Sequence, residues 1–223
     1  MRVNIMGYEF ILLLVMSYAL GSFPSAYLAG KLIKNIDIRE HGSGNVGATN
    51  VFRVLGKTWG IVTLAVDILK GSLAIILAKS ILSTDQEYGS WILLAFGLMA
   101  FLGHLFPVWL KFKGGKGVAV GAGVFLALIP VEMGFILTFF VLVVALTRYV
   151  SLGSVLSALF LPLSVYLNPL REQDNDLYPY LIATSVIALA VLVMHWGNIK
   201  RLLRGEEHKI SFRSKSKQHT ASE

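Results

Sequence analysis

Cysteine is absent from the 223 residues of this sequence, and charged residues make up only 15% of it. Without thiols the chain has no disulfides and no thiolate metal site, so any chemistry falls to oxygen, imidazole, amine and backbone groups. Hydrophobic residues account for 55%, well above the share in an ordinary soluble domain. The composition therefore predicts a membrane protein with several spans.

Acidic residues are also scarce, with 13 Asp and Glu against 20 Lys and Arg and a net charge of +7. The positive residues lie between apolar segments and in the tail, which indicates membrane topology and an anionic ligand and argues against nucleic acid. The first apolar segment, roughly 8–30, lacks a strongly positive leader and a clear cleavage site, so we expect it to remain as a transmembrane helix.

Apolar runs of about 20 residues, the length that spans a bilayer, recur along the chain. They predict helices near 8–31, 59–82, 91–110, 117–129, 131–148, 152–168 and 178–196. Pro130, beside Glu132, is expected to divide the long run from 117 to 147 into two helices. A single kinked helix there is the alternative, and it would give six spans.

The connecting loops distinguish the two topologies. The 83–90 and 169–177 loops are acidic, whereas the 32–58 loop, the 111–116 loop and the tail from Lys200 are basic. The positive-inside rule places basic loops in the cytoplasm. Only seven spans with the N-terminus outside put every basic loop on that side.

The predicted fold class is therefore all-α: a polytopic integral membrane protein of seven transmembrane helices with a cytoplasmic C-terminus. Residues 1–210 form one domain, and 211–223 are expected to be a flexible polar tail. This topology places four polar segments at a single membrane face.

The first polar segment is HGSGNVGATN, residues 41–50, whose glycines have the G-x-G-x-x-G spacing of a dinucleotide-binding loop. That fingerprint needs a preceding strand, but here an apolar helix precedes it. Asp67, at the distance of the fingerprint's acidic residue, is expected inside a second helix, paired with Lys70 at i, i+3. The loop keeps the features of an anion site, namely glycines, small donors and Arg53, and the alternative is a plain turn.

The second segment is KFKGGKG, residues 111–117, which follows GHLFP. It is not a Walker loop, because Leu110 stands where that motif needs glycine. Three lysines among glycines at a helix start still form a good anion site. The alternative is an ordinary positive-inside anchor, which leaves the glycines unexplained.

The third segment is HWGNIKRLLRGEE, residues 195–207, in which His195, Asn198 and Arg201 share one helix face. A solvated helix end, with Gly-Glu as a cap and tail, is the alternative. The fourth segment, TRYVSLGS, contains Ser151 and gains meaning only from its predicted place beside the others.

Together SGNVGATNVFR, GHLFPVWLKFKGGKG, TRYVSLGS and HWGNIKRLLRGEE resemble the bacterial acyl-phosphate:glycerol-3-phosphate acyltransferase family over about residues 8–208. The resemblance implies a catalytic domain that transfers an acyl chain from acyl phosphate to the 1-hydroxyl of glycerol 3-phosphate, the first committed step of bacterial phospholipid synthesis. It implies a multi-pass inner-membrane enzyme with a cytoplasmic site, no cofactor and no metal. A monomer is expected, and contact with an enzyme that makes acyl phosphate is left open.

The resemblance also implies roles for individual residues. Those assigned chiefly to glycerol 3-phosphate are Arg53, Lys113, Ser151, His195 and Asn198. Those assigned to the acyl-phosphate group are Gly114, Gly115, Lys116, Gly117, Ser43, Gly44, Asn45 and Thr49. Further predicted substrate-binding residues are Gly47, Asn50, His104 and Arg201. The predicted catalytic residues are His195, Asn198 and Ser43, and which loop holds which substrate stays open.

The proton of the attacking hydroxyl has two candidate acceptors, the His195 imidazole and a substrate phosphate oxygen. Our hypothesis is that positioning dominates and His195 is not a strict base. Acyl-CoA-dependent enzymes of the His-x₄-Asp type are excluded, because no histidine here has aspartate five positions on. A transporter of a phosphorylated solute is the second candidate, although it would be expected to show internal repeats and midplane polar groups.

Overall fold

The computed structural model describes residues 7–82, 89–169 and 176–210, and every regular element in these ranges is helical. The helices are α1 (Gly7–Ser22), α2 (Ser25–Lys34), α3 (Ala48–Leu55), α4 (Lys57–Ile81), α5 (Gly89–Leu105), α6 (Val118–Leu128), α7 (Pro130–Thr147), α8 (Val150–Tyr166), α9 (Leu177–Met194) and α10 (Trp196–Leu203). Short 3₁₀ turns cover Ile38–Glu40 and Val108–Leu110. The predicted tail, 211–223, lies outside the described residues.

The prediction of one continuous helix over 8–31 is wrong. α1 ends at Ser22 and α2 begins at Ser25, with a bend of 40° between them. Pro24 explains the break, because its nitrogen carries no hydrogen and its ring prevents a helix from continuing. The apolar composition on both sides of this proline conceals the break from a reading of hydropathy alone.

The break at Pro130 is confirmed. α6 ends at Leu128, and Pro130 occupies the first turn of α7, where its missing N–H costs nothing. The single kinked helix is thereby excluded. Glu132, in the same turn, is buried and accepts a 2.8 Å hydrogen bond from Asn168 Nδ2 on the segment after α8.

Four segments are long and apolar enough to cross a membrane: Lys57–Ile81, Gly89–Leu110, Pro130–Thr147 and Leu177–Met194. The bent pair α1 and α2 would make a fifth. α6 is apolar but has only 11 residues, which span about 16 Å, roughly half of a hydrocarbon core. Four or five spans are therefore supported by the described residues, and seven spans remains a prediction. The acidic stretches 83–88 and 170–175 lie outside the described ranges.

The helices pack through a few close pairs: α1 on α5, α4 on α3 and α6, and α8 on α7 and α9. The predicted pair inside α4 is confirmed, because Lys70 Nζ lies 2.9 Å from Asp67 Oδ1 and both side chains are buried. Asp67 also accepts from Ser25 Oγ at 2.6 Å, and Lys70 donates to the carbonyl of Phe23 at 3.0 Å. The pair thus links α4 to the break between α1 and α2.

Candidate active site

The loop before α3 is held by Asn50. Its side-chain nitrogen donates to the carbonyls of Ile38 at 3.1 Å and His41 at 2.9 Å, and its oxygen accepts from the backbone N–H of Ser43 at 2.8 Å. Asn50 is almost fully buried. Sequence reasoning assigned it to substrate, whereas its described contacts hold the loop in place.

The loop before α6 is fastened to the end of α5. Gly114 donates its N–H to Leu105 O at 3.1 Å, and Gly115 donates to His104 O at 3.2 Å. Both amides are therefore occupied by backbone carbonyls, which differs from the predicted phosphate cradle. A Cβ on Gly115 would lie 2.2 Å from His104 Nε2, so only glycine lets the loop approach this ring. Lys113 is exposed and does not line the cavity described below.

The residue that begins α6 needs a special backbone. Gly117 has φ +80°, a left-handed conformation, and a Cβ there would lie 2.3 Å from the Phe101 ring. This turn directs the preceding Lys116 into the interior, where its ammonium contacts Asn198 Oδ1 on α10. Burial lowers the pKa of Lys116 to about 8, and nearby arginines act in the same direction while Glu207 opposes them.

Glu207 joins the third and fourth segments and was not predicted as a site residue. Its Oε1 accepts from Ser151 Oγ at 2.9 Å and from Asn198 Nδ2 at 2.7 Å, and its Oε2 accepts from Arg201 Nε at 2.8 Å. Burial alone would raise the pKa of this carboxyl, but these three donors hold it below its usual value of 4.5. The signal available in the sequence was the turn glycine, Gly205, followed by an acid that could fold back onto α10.

Residues 204–210, here called the strap, carry Glu207 across the end of the bundle. The strap is fixed at its far end, where Ile210 N donates to Arg148 O at 2.8 Å. Arg53 Nη2 donates to His208 O at 3.2 Å, so the strap also contacts α3. These contacts bring α3, α8 and α10 together around one carboxylate.

His195 lies between α9 and α10 and is buried, with 4% of its surface exposed. Its Nδ1 is 2.8 Å from Val191 O, an acceptor that requires hydrogen on Nδ1 and leaves Nε2 as an acceptor. Burial, aided by the charge of Lys116, lowers the pKa of His195 to about 4. The imidazole is therefore neutral at pH 7.

A cavity of about 730 Å³ unites most of these groups. The residues predicted from sequence that line it are Ser43, Gly44, Asn45, Gly47, Thr49, Asn50, Arg53, His104, Lys116, Gly117, Ser151, His195, Asn198 and Arg201. Lys113, Gly114 and Gly115 are absent from this lining. Unpredicted polar residues in the lining are Glu207, Ser154, Ser157 and Asp67, the last with its Oδ1 4.0 Å from His104 Nδ1.

Away from this polar end the same cavity continues between hydrocarbon side chains of α6, α7, α8 and α9, including Phe125, Met133, Leu161 and Ile187. Within the described ranges, no three His, Cys, Asp or Glu side chains lie together in a way that could hold a metal ion. Cationic and hydrogen-bonding groups at one end and an apolar interior at the other suit a ligand with an anionic head and a long tail. The fold and the site thus define a membrane protein with a site for an amphiphilic anion.

The comparisons with known proteins narrow this class. The family model for glycerol-3-phosphate acyltransferase matches residues 11–205. A glycerol-3-phosphate acyltransferase of Trichlorobacter lovleyi is 47% identical over 87% of this chain and 94% of its own length. One of Prochlorococcus marinus strain NATL1A is 45% identical over 90% of this chain and 98% of its own.

The fold is shared with a solved structure. PlsY, an integral membrane glycerol 3-phosphate acyltransferase crystallised in a glycerol 3-phosphate form, superposes with a TM-score of 0.80 at 35% identity over 91% of this chain and 96% of that one. Its lysophosphatidic acid form gives a TM-score of 0.78. The chain belongs to the glycerol-3-phosphate acyltransferase family and is a multi-pass membrane protein.

Proposed function

We propose that the chain transfers an acyl group from acyl phosphate to the 1-hydroxyl of glycerol 3-phosphate, giving lysophosphatidate and inorganic phosphate. The observation that carries this proposal is the cavity, whose polar end has Lys116, Arg53 and Arg201 and whose interior is apolar. Both substrates are phosphate anions and one has a hydrocarbon chain. Family membership supports the acceptor, and the donor is our own inference.

The reaction needs few protein groups. The hydroxyl oxygen attacks the acyl carbonyl carbon, the carbon–oxygen bond to phosphate breaks, and inorganic phosphate leaves. Acyl phosphate is already an activated mixed anhydride, so no protein nucleophile is required. Catalysis then rests on holding two anions together and on donors aimed at the developing oxyanion.

The cations of the cavity are assigned to the two phosphates. Lys113, which sequence reasoning assigned to glycerol 3-phosphate, does not line the cavity, whereas Lys116 of the same loop does. Arg53, Ser151, His195 and Asn198 are assigned to glycerol 3-phosphate. The Ser43 hydroxyl and the following glycine loop, with Lys116, are assigned to the acyl-phosphate group.

The proton goes to a substrate phosphate oxygen in this mechanism. With a pKa of about 4, His195 is a weak proton acceptor, whereas the second ionisation of a phosphate monoester has a pKa of about 6. His195 Nε2 instead accepts a hydrogen bond from the hydroxyl and orients it. Asn198 is held by Glu207 on one side and by Lys116 on the other, and it positions glycerol 3-phosphate beside His195.

We also propose seven spans, an N-terminus outside and a site at the cytoplasmic face of the inner membrane. Because the chain has no cysteine, a single introduced one is a unique label. In oriented vesicles, Lys113→Cys should react with an impermeant maleimide from the cytoplasmic side and Glu87→Cys from the other. The reverse pattern would contradict the orientation.

We also propose a monomer, because all groups assigned here come from one chain. Light scattering of the purified protein measures its molar mass and so tests this proposal.

Purified protein in detergent tests the reaction. With acyl phosphate and glycerol 3-phosphate it should release inorganic phosphate and form lysophosphatidate in equal amounts. Acyl-CoA in place of acyl phosphate is the control donor and should give no product. Turnover with acyl-CoA alone, or none with either donor in well-folded protein, would contradict the proposal.

A further inference from the structure

On each of four helices, one buried apolar side chain is the lining residue farthest along the helix from the polar end of the cavity. Phe125 of α6, Met133 of α7, Leu161 of α8 and Ile187 of α9 all line the cavity, and none is more than 8% exposed. All four belong to the same buried core cluster. We call these four residues the floor.

The depth of the floor follows from the helix rise. Ser151 and Leu161 are ten residues apart on α8, which corresponds to about 15 Å, and Gly117 and Phe125 are separated by about 12 Å. One leaflet of a hydrocarbon core is also about 15 Å deep. The cavity therefore reaches about as far as a lipid chain reaches in one leaflet.

The cavity volume also corresponds to a lipid chain that extends through one leaflet. A methylene occupies about the volume of a water molecule, roughly 30 Å³, so a chain of about 16 carbons needs roughly 480 Å³. The cavity of about 730 Å³ holds such a chain and leaves space for the two phosphate groups. A much longer chain would meet the floor.

Polar groups lie immediately beyond Met133. Glu132 is the next residue on α7, is 2% exposed and is bonded to Asn168 at 2.8 Å. A methyl terminus that pushed past the floor would meet this bonded pair, and separating a buried hydrogen-bonded carboxyl is costly. The far end of the cavity therefore has a fixed limit.

We propose that the floor, with Met133 and Leu161 as its principal residues, sets the longest acyl chain that the enzyme accepts. This inference rests on the proposed function for the identity of the ligand. A competing path exists at α4, where Ile61 and Leu64 line the cavity and are 51% and 42% exposed. A chain that leaves between these side chains would not contact the floor.

The experiment measures kcat/KM for acyl phosphates of 8 to about 20 carbons. Met133→Ala should move the preferred length up by about two carbons, because it removes about that much side chain. Leu161→Phe should move it down, with a loss of roughly fourfold in kcat/KM for each methylene that no longer fits. Ala158→Leu, which adds bulk one turn nearer the polar end, gives a second shortening variant if Leu161→Phe folds poorly.

Matched controls lie on the same helices. Leu142→Ala on α7 and Leu163→Phe on α8 change side chains that are 55% and 46% exposed and lie outside the cavity lining. They should keep the wild-type length profile. The same profile in all folded variants would overturn the inference in favour of the path at α4.

Binding provides a readout that needs no turnover. The thermal stabilisation by alkyl phosphates of increasing length should reach its maximum at a longer chain in Met133→Ala and at a shorter one in Leu161→Phe. If the protein catalyses nothing but these maxima shift, the proposed function fails and the floor stands. If catalysis is normal and the maxima do not shift, the floor fails alone.

Discussion

Glu207→Gln should weaken both the fold and the activity, because one carboxylate holds Ser151, Asn198 and Arg201. A glutamine at this position has one oxygen and one NH₂ group. With the oxygen at Oε1 it still accepts from the first two side chains, but the NH₂ then faces Arg201 Nε. The opposite orientation would leave two donors without an acceptor, so we expect the first.

The magnitude follows from these contacts. The Arg201 side chain is 43% exposed, so solvent screens its pair with Glu207, and the loss is about 1 kcal/mol. The other two hydrogen bonds change from charged to neutral acceptors, at about 1 kcal/mol each because the carboxylate is only 4% exposed. A total of about 3 kcal/mol lowers Tm by about 6–12 °C in a chain of this size. A release of Arg201 and Asn198 from their positions should lower kcat/KM by about 10- to 100-fold.

Glu206→Gln is the matched control, since it makes the same chemical change at the neighbouring exposed position. The Tm of Glu206→Gln in thermal unfolding and its rate of phosphate release should equal the wild-type values. The contribution of Glu207 is complete above pH 4.5, where the unfolded carboxyl is charged, and is lost as pH falls through its lower folded pKa. The difference in Tm between wild type and Glu207→Gln should therefore disappear as the pH is lowered through the folded pKa of Glu207. A Tm within about 2 °C of wild type at pH 7 and an unchanged kcat/KM would refute the reasoning.

Other substitutions test the remaining assignments. His195→Ala should lower kcat by about tenfold and keep both limbs of the pH–rate profile, whereas loss of a limb with about 10³-fold in kcat would identify a general base. Lys116→Met should raise thermal stability by roughly 1–3 kcal/mol, since burial of the ammonium holds its pKa near 8. The same variant should raise KM for the phosphate substrates by about 10²-fold, and lower stability would contradict this account. Asp67→Asn leaves the Lys70 charge buried without its partner and should cost about 3–5 kcal/mol. Asp67→Asn with Lys70→Met should recover most of that loss in the same unfolding assay.

Local chemistry made part of this structure predictable. The break at Pro130 and the pair of Asp67 with Lys70 depend on residues at most a few positions apart, so periodicity and spacing are sufficient to find them. The placement of His195, Asn198 and Ser151 in one cavity could be predicted because the predicted topology puts their segments at one membrane face. In each case the relevant information lies within a helix or in the alternation of charged loops.

Contacts between residues far apart in the sequence could not be predicted from it. Glu207 meets Ser151 across 56 positions, and nothing near either residue indicates the other. The amides of Gly114 and Gly115 resembled free donors until α5 placed two carbonyls against them. The three contacts of Asn50 could not be predicted for the same reason, because its partners lie on a turn whose path the sequence does not reveal.

The strap has a consequence for how the protein is made. A chain emerges from the ribosome with its N-terminus first, and domains generally fold in that order. Every helix in the described part of the chain, and both glycine loops, are therefore synthesised before Glu207. A nascent chain that stops short of this residue can insert all its apolar segments yet lacks the carboxylate that joins Ser151, Asn198 and Arg201. Termination before Glu207 would thus yield an inserted product whose site is not joined, and full activity would require synthesis through the strap.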